Sequence, residues 1–203
     1  MLEEVRRKAI RPDAIERIPV RDCPDLDVDE ADEVAVFNQP RYWSGMPVYE
    51  KADYVLKRLR DVFHYKVFIF SWRPWPSWSL VTPSQRKQWK SLWRGTSISR
   101  ITKEWLHDKG IPYDRLIVEK GNADSPDRVG KVRNRYIIAQ DCKIRLFVED
   151  DLDKARKLAD ACEVVFLMKH PYNRVGPTDE ALPSNIVEVD GWKEIYRWIK
   201  ENL

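Results

Sequence analysis

Glu149, Asp150 and Asp151 follow directly on the apolar residues Ile144, Leu146, Phe147 and Val148 in the stretch IRLFVEDDLD. A short apolar run of this kind predicts a strand buried on both faces of a parallel sheet. Ligands of open α/β sheets sit outside the carboxyl ends of the strands, which is where these three carboxylates fall. Hard cations such as Mg²⁺ take one or two carboxylates, with waters and substrate phosphate oxygens completing the shell. A second reading is open at the same place: Asp150 or Asp151 caps the helix that begins near Leu152 and runs through DKARKLADAC.

Other polar residues stand where they could meet a phosphate. Ser71 closes the strand Lys66–Ser71, followed by Trp72, Arg73 and Pro74. A hydroxyl there can donate to a phosphate oxygen and Arg73 can add a charge-assisted contact, while a plain turn or cap is the alternative. Lys131 opens a predicted helix, KVRNRYIIAQD, that carries Arg133 and Arg135 and leads into the acidic strand. It could neutralise a carboxylate and a phosphate held together, or remain solvated. Between residues 72 and 94, Trp72, Trp75, Trp78, Trp89 and Trp93 alternate with Arg73, Arg86, Lys87, Lys90 and Arg94. Such interleaving suits nucleotide or single-stranded nucleic acid binding, or an insertion that packs its tryptophans against its own body.

These residues need a scaffold, and strand and helix alternate from Tyr49 onward. Tyr49, Ala52, Val55, Leu56, Leu59 and Phe63 recur at helical spacing. Further strands are predicted over Asp114–Val118, Glu163–Met168 and Ile186–Val189, with a polar loop over Glu119–Gly130. Helices are predicted over Ser99–Lys109, ended by Gly110, and over Trp192–Leu203. The pattern predicts an α/β fold: three layers, Rossmann-like, a mostly parallel sheet with helices on both faces. Residues 1–48, with helices expected over Leu2–Ala9, Asp13–Ile18 and Asp29–Asn38, read as a small helical cap-like segment preceding the core at 49–203. The acidic run Asp25–Asp32 reads as a solvated turn and helix start, although Asp25-Leu26-Asp27-Val28 superficially matches a DxD nucleophile motif.

Composition bounds the function. The chain has 203 residues, 43% apolar and 34% charged, with a net charge of only +3, so no global field marks a nucleic-acid binder. Cys23, Cys142 and Cys162 are odd in number and lack metal-ligand spacing, which predicts reduced thiols in the cytoplasm. No run approaches the roughly 18 apolar residues of a membrane span.

Several stretches together resemble the haloacid dehalogenase superfamily, in its 5′(3′)-deoxyribonucleotidase-like branch. They are FNQPRYWSGMPVYEKADYVLKRL, VFIFSWRP, ITKEWLHDKGIPYDRLI, FVEDDLDKA and VVFLMKHPYNR, in that order across about residues 30 to 175. The resemblance implies a HAD-like core and Mg²⁺-dependent hydrolysis of a phosphomonoester, such as a nucleotide, through an aspartyl-phosphate. It also implies roles: Ser71 as the phosphate-binding hydroxyl, Lys131 or alternatively Lys120 as the third-motif lysine, and Glu149 with Asp150, beside Asp151, as the metal-binding motif.

The superfamily's central strand, ending in Asp-x-Asp, has no counterpart in the sequence. Three explanations are open: an N-terminal segment of some tens of residues lies outside the chain, the chain is a degenerate member, or Val34–Phe37 or Ile18–Val20 fills the central place. Two functions follow: a nucleotidase-type phosphatase, or a non-catalytic module that binds nucleotide or single-stranded nucleic acid through Trp72–Arg94. A gap in the sheet or a Trp-rich surface would favour a homodimer.

Overall fold

A computed structural model describes residues 23, 29–37, 39–74, 83–121, 128–174 and 181–203. The helices expected over Leu2–Ala9 and Asp13–Ile18, the Asp25–Val28 motif, the segment Ile18–Val20, and Trp75 and Trp78 lie outside the described residues. The chain divides into two compact units, Met1–Val48 with Ala52–Ser125, and Tyr49–Lys51 with Pro126–Leu203.

In the first unit, helix α1 (Glu30–Phe37) starts where Asp29 and Asp32 bond each other's backbone: the Asp32 amide donates to Asp29 Oδ1 at 2.9 Å and the Asp29 amide to Asp32 Oδ2 at 3.1 Å. The acidic run is thus a helix start at its described end. Val34–Phe37 is helical and does not supply a central strand. Its residues lie in α1, where the alanine and glutamate around them favour the helix.

Helix α2 (Pro40–Gly45) follows, and then α3 (Ala52–Asp61), which buries Ala52, Val55 and Leu56; the outer residues Tyr49 and Phe63 of the expected helix fall beyond its ends. Strand β1 (Phe68–Pro74), helix α4 (Pro83–Leu92), helix α5 (Ile98–Asp108) and strand β2 (Arg115–Gly121) complete the unit. Ser97 caps α5 by accepting the Arg100 amide at 3.2 Å, and Gly110 takes the left-handed turn beyond it with φ +63°. Trp43, Ile98 and Ile101 form the buried centre, and Trp93 and Val118 pack against it.

β1 and β2 pair in parallel, with Ser71 opposite Val118 and Pro74 opposite Gly121. Ser71 therefore lies inside the strand and not at its end. β2 carries the ladder through Glu119, Lys120 and Gly121, which extends β1 through Trp72, Arg73 and Pro74. The expected loop Glu119–Gly130 accordingly opens as strand and closes as helix.

The second unit holds helix α6 (Arg128–Asp141), strand β3 (Leu146–Glu149), helix α7 (Leu152–Ala159), strand β4 (Val164–Met168), a 3-10 turn (Pro171–Asn173), strand β5 (Ile186–Val189) and helix α8 (Trp192–Asn202). The sheet is parallel in the order β3-β4-β5. Val165, Phe166 and Leu167 are all fully buried. Successive strand residues face opposite ways, so both faces of β4 are covered. Ala155 and Leu158 of α7 and Ile195 and Ile199 of α8 belong to the same core, and Phe166 meets the Trp198 ring edge-on at 5.3 Å.

Candidate active site

β3 delivers Glu149, Asp150 and Asp151 at its carboxyl end, and the fold gives each a different environment. Glu149 is buried and receives Arg135 Nη1 at 2.8 Å on Oε2. Arg135 is itself buried, held on the second half of α6. Burial pushes the Glu149 carboxyl up to about 7 against the pull of Arg135, and its hydrogen bond with Asp150 pushes the same way.

Asp151 caps α7. Its Oδ1 accepts the Lys154 amide at 3.0 Å, and Oδ2 meets Lys154 Nζ at 2.8 Å. The capping expectation is met by Asp151.

Asp150 faces the turn that follows β4. Tyr172 Oη donates to its Oδ2 at 3.1 Å, and Asn173 Nδ2 donates to its backbone carbonyl at 2.7 Å. The same amide group donates to the Met168 carbonyl at 2.7 Å, while Asn173 Oδ1 accepts the His170 amide at 2.8 Å. Asn173 thus ties the carboxyl ends of β3 and β4 together. Removing it by Asn173→Ala leaves two carbonyls and one amide without that partner, and is expected to cost roughly 3 kcal/mol in urea unfolding. A loss under about 1 kcal/mol would mean that the turn holds itself without the side chain.

Tyr172 is backed by the His170 ring, stacked at 4.9 Å and 9°. The Tyr49 hydroxyl lies 3.3 Å from His170 Nε2, completing a line of rings that ends on Asp150. Burial raises the Tyr172 phenol above its ordinary value, and the charge of Asp150 adds to this, so the hydroxyl stays a donor.

Among the described residues no three His, Cys, Asp or Glu side chains converge as a metal cage. The donor set instead fits a cation held by one carboxylate, Asp150, and otherwise by water and a phosphate oxygen, which is the habit of Mg²⁺. Lys131 lies on α6 about one turn before Arg135. Ser71, Trp72 and Arg73 lie on β1, and Lys120 lies on β2, all in the first unit. The second unit thus brings together Glu149, Asp150 and Asp151 with Arg135, Tyr172 and Asn173. The last three were not assigned to the site from sequence. The available signal was the HPYN run directly after a buried strand, since Pro and Asn there announce a turn whose side chains bond backbone.

The raised Glu149 carboxyl gives stability a pH dependence. A folded-state value above the unfolded one means that the native chain binds the extra proton, so this contribution is complete below about 4.5 and lost as pH rises through about 7. In EDTA, the stability of the wild type relative to Glu149→Gln should fall by roughly 3 kcal/mol between pH 4.5 and 8. A flat difference across that range would show that Arg135 keeps Glu149 ionised throughout.

No protein-family model matches the chain. Three curated relatives do. The chain is 29% identical over 111 residues to a provisionally named nucleotidase of Halalkalibacterium halodurans, covering 54% of this chain and 49% of that protein. It is 32% identical over 110 residues to a provisionally named nucleotidase of Bacillus subtilis, with the same coverage. It is 29% identical over 103 residues to a nucleotidase of Clostridium acetobutylicum, covering 51% of this chain and 45% of that one. The chain thus spans about half the length of the relatives it matches.

A crystal structure of D,D-heptose 1.7-bisphosphate phosphatase from B. bronchiseptica, complexed with magnesium and phosphate, aligns with a TM-score of 0.50 at 12% identity. The alignment covers 88% of this chain and 93% of that one. The chain has the haloacid dehalogenase-like α/β fold and is similar in sequence to nucleotidases.

Proposed function

We propose that the chain serves a Mg²⁺-dependent phosphomonoesterase of the nucleotidase type, acting on a nucleotide or another small phosphomonoester. The observation that carries this reading is Asp150, set at the carboxyl end of β3 and held there through both its side chain and its carbonyl. Mg²⁺ bound there would neutralise the charge of the phosphate. In this reading Asp150 is the main metal ligand. Glu149 sets the charge behind it, and Asp151 fixes the start of α7 and so the direction in which the acidic turn faces. Lys131, with Lys120 as its alternative, would balance the phosphate charge. Ser71, with Trp72 and Arg73, would bind the ester, although the mid-strand place of Ser71 makes Arg73 and Trp72 the residues nearer the strand end. Residues 1–48 would act as the cap and 49–203 as the core.

An aspartyl-phosphate route needs an attacking carboxylate that these residues do not supply. The test is hydrolysis of p-nitrophenyl phosphate and nucleoside monophosphates in Mg²⁺ and in EDTA, by the chain and by any longer in-frame product of its gene. No Mg²⁺-dependent turnover by either would sink the reading. The alternative is a non-catalytic module that binds nucleotide or single-stranded nucleic acid through Trp72–Arg94; of its tryptophans, Trp93 packs against the Trp43, Ile98 and Ile101 cluster.

We also place the protein in the cytoplasm. Cys162 is an unbridged buried thiol, its acidity weakened by burial to about 11. No helix among the described residues is long and apolar enough to cross a membrane. Homodimer formation is part of the same proposal and is read directly by light scattering.

A further inference from the structure

We infer, building on the reading that Asp150 holds a divalent cation, that Tyr172 is a positioning residue that keeps Asp150 a one-oxygen ligand and thereby selects Mg²⁺ over Ca²⁺. The Tyr172 hydroxyl donates to Oδ2 at 3.1 Å, so a cation meets less competition at Oδ1 than at Oδ2. Mg²⁺ demands near-octahedral single-oxygen contacts, whereas Ca²⁺ is larger and readily takes both oxygens of one carboxylate. A two-oxygen grip on Asp150 would have to share Oδ2 with the Tyr172 hydrogen bond, which occupies one of that oxygen's two lone pairs.

The carboxylate has little freedom to turn away. Asn173 holds the Asp150 carbonyl at 2.7 Å, and the Tyr172 ring is backed by His170, whose Nε2 meets the Tyr49 hydroxyl. The neighbouring Asp151 is engaged by Lys154 through both its oxygens, so it is not a ready second ligand for the larger ion.

The test measures Mg²⁺ and Ca²⁺ dissociation constants by titration calorimetry on the full chain, for the wild type, Tyr172→Phe and Asp150→Asn. Tyr172→Phe keeps the ring and its stack while removing only the hydroxyl. Outer contacts of this kind change metal affinity by about 10- to 100-fold. Tyr172→Phe is therefore expected to weaken Mg²⁺ by about tenfold and to leave Ca²⁺ unchanged or tighter, so that the ratio of the two affinities falls at least about tenfold. A merely structural role would weaken both ions by the same factor. If Asp150→Asn abolishes binding while Tyr172→Phe leaves the ratio unchanged, the selectivity role of Tyr172 is wrong and the Asp150 reading stands. If the wild type binds neither ion, or Asp150→Asn binds Mg²⁺ as the wild type does, the Asp150 reading falls and this inference falls with it.

Discussion

Arg135→Leu is expected to destabilise the protein by about 3–5 kcal/mol above pH 7, the cost of leaving one member of a buried ion pair alone. Both partners are buried, and Arg135 Nη1 lies 2.8 Å from Glu149 Oε2, so water cannot take over the lost contact cheaply. Without Arg135 no guanidinium charge holds the Glu149 carboxyl down, while burial still raises it. The group then escapes its charge by taking up a proton, so the loss should shrink at pH 5. Arg135→Leu combined with Glu149→Leu removes both charges and should recover most of the stability, since apolar replacements of buried pairs are often neutral or better. Urea unfolding at pH 5 and pH 8 checks all three. An Arg135→Leu loss below about 1 kcal/mol at both pH values would show that the pair is solvated in solution.

The second large effect concerns chemistry. Asp150→Asn should lower Mg²⁺-dependent phosphomonoester hydrolysis by at least about 100-fold, because a metal-bound phosphate draws several kcal/mol of charge stabilisation from such a site. The substitution isolates charge from fold. The asparagine carbonyl oxygen still accepts from Tyr172, and the backbone bond from Asn173 is untouched. Thermal unfolding should therefore stay close to wild type while turnover collapses. Turnover within about threefold of wild type would remove Asp150 from the mechanism and with it the proposed cation site.

A contrast between the two variants separates neighbouring carboxylates by role. Arg135→Leu should move stability first, and activity through it. Asp150→Asn should move activity alone. Glu149 and Asp150 are adjacent in sequence, yet Glu149, the last residue of β3, is buried while Asp150 stands just past the strand's end.

Much of this protein was determined by sequence alone. The apolar runs at Ile144–Val148, Glu163–Met168 and Ile186–Val189 gave β3, β4 and β5 to within two residues, because a strand covered on both faces needs only a short unbroken apolar stretch. The carboxylates at the end of β3 were legible for the same reason, since their place follows from where the run stops. Tertiary structure decided the rest. Ser71 lies inside β1 because a partner strand distant in sequence carries the ladder past it. The three carboxylates differ because Glu149 meets an arginine 14 residues before it and Asp150 a tyrosine 22 residues after it, while only Asp151 finds its partner within the next helical turn. Contacts at such separations leave no local periodicity, so a strand end can be read from the chain while the division of labour at that end cannot.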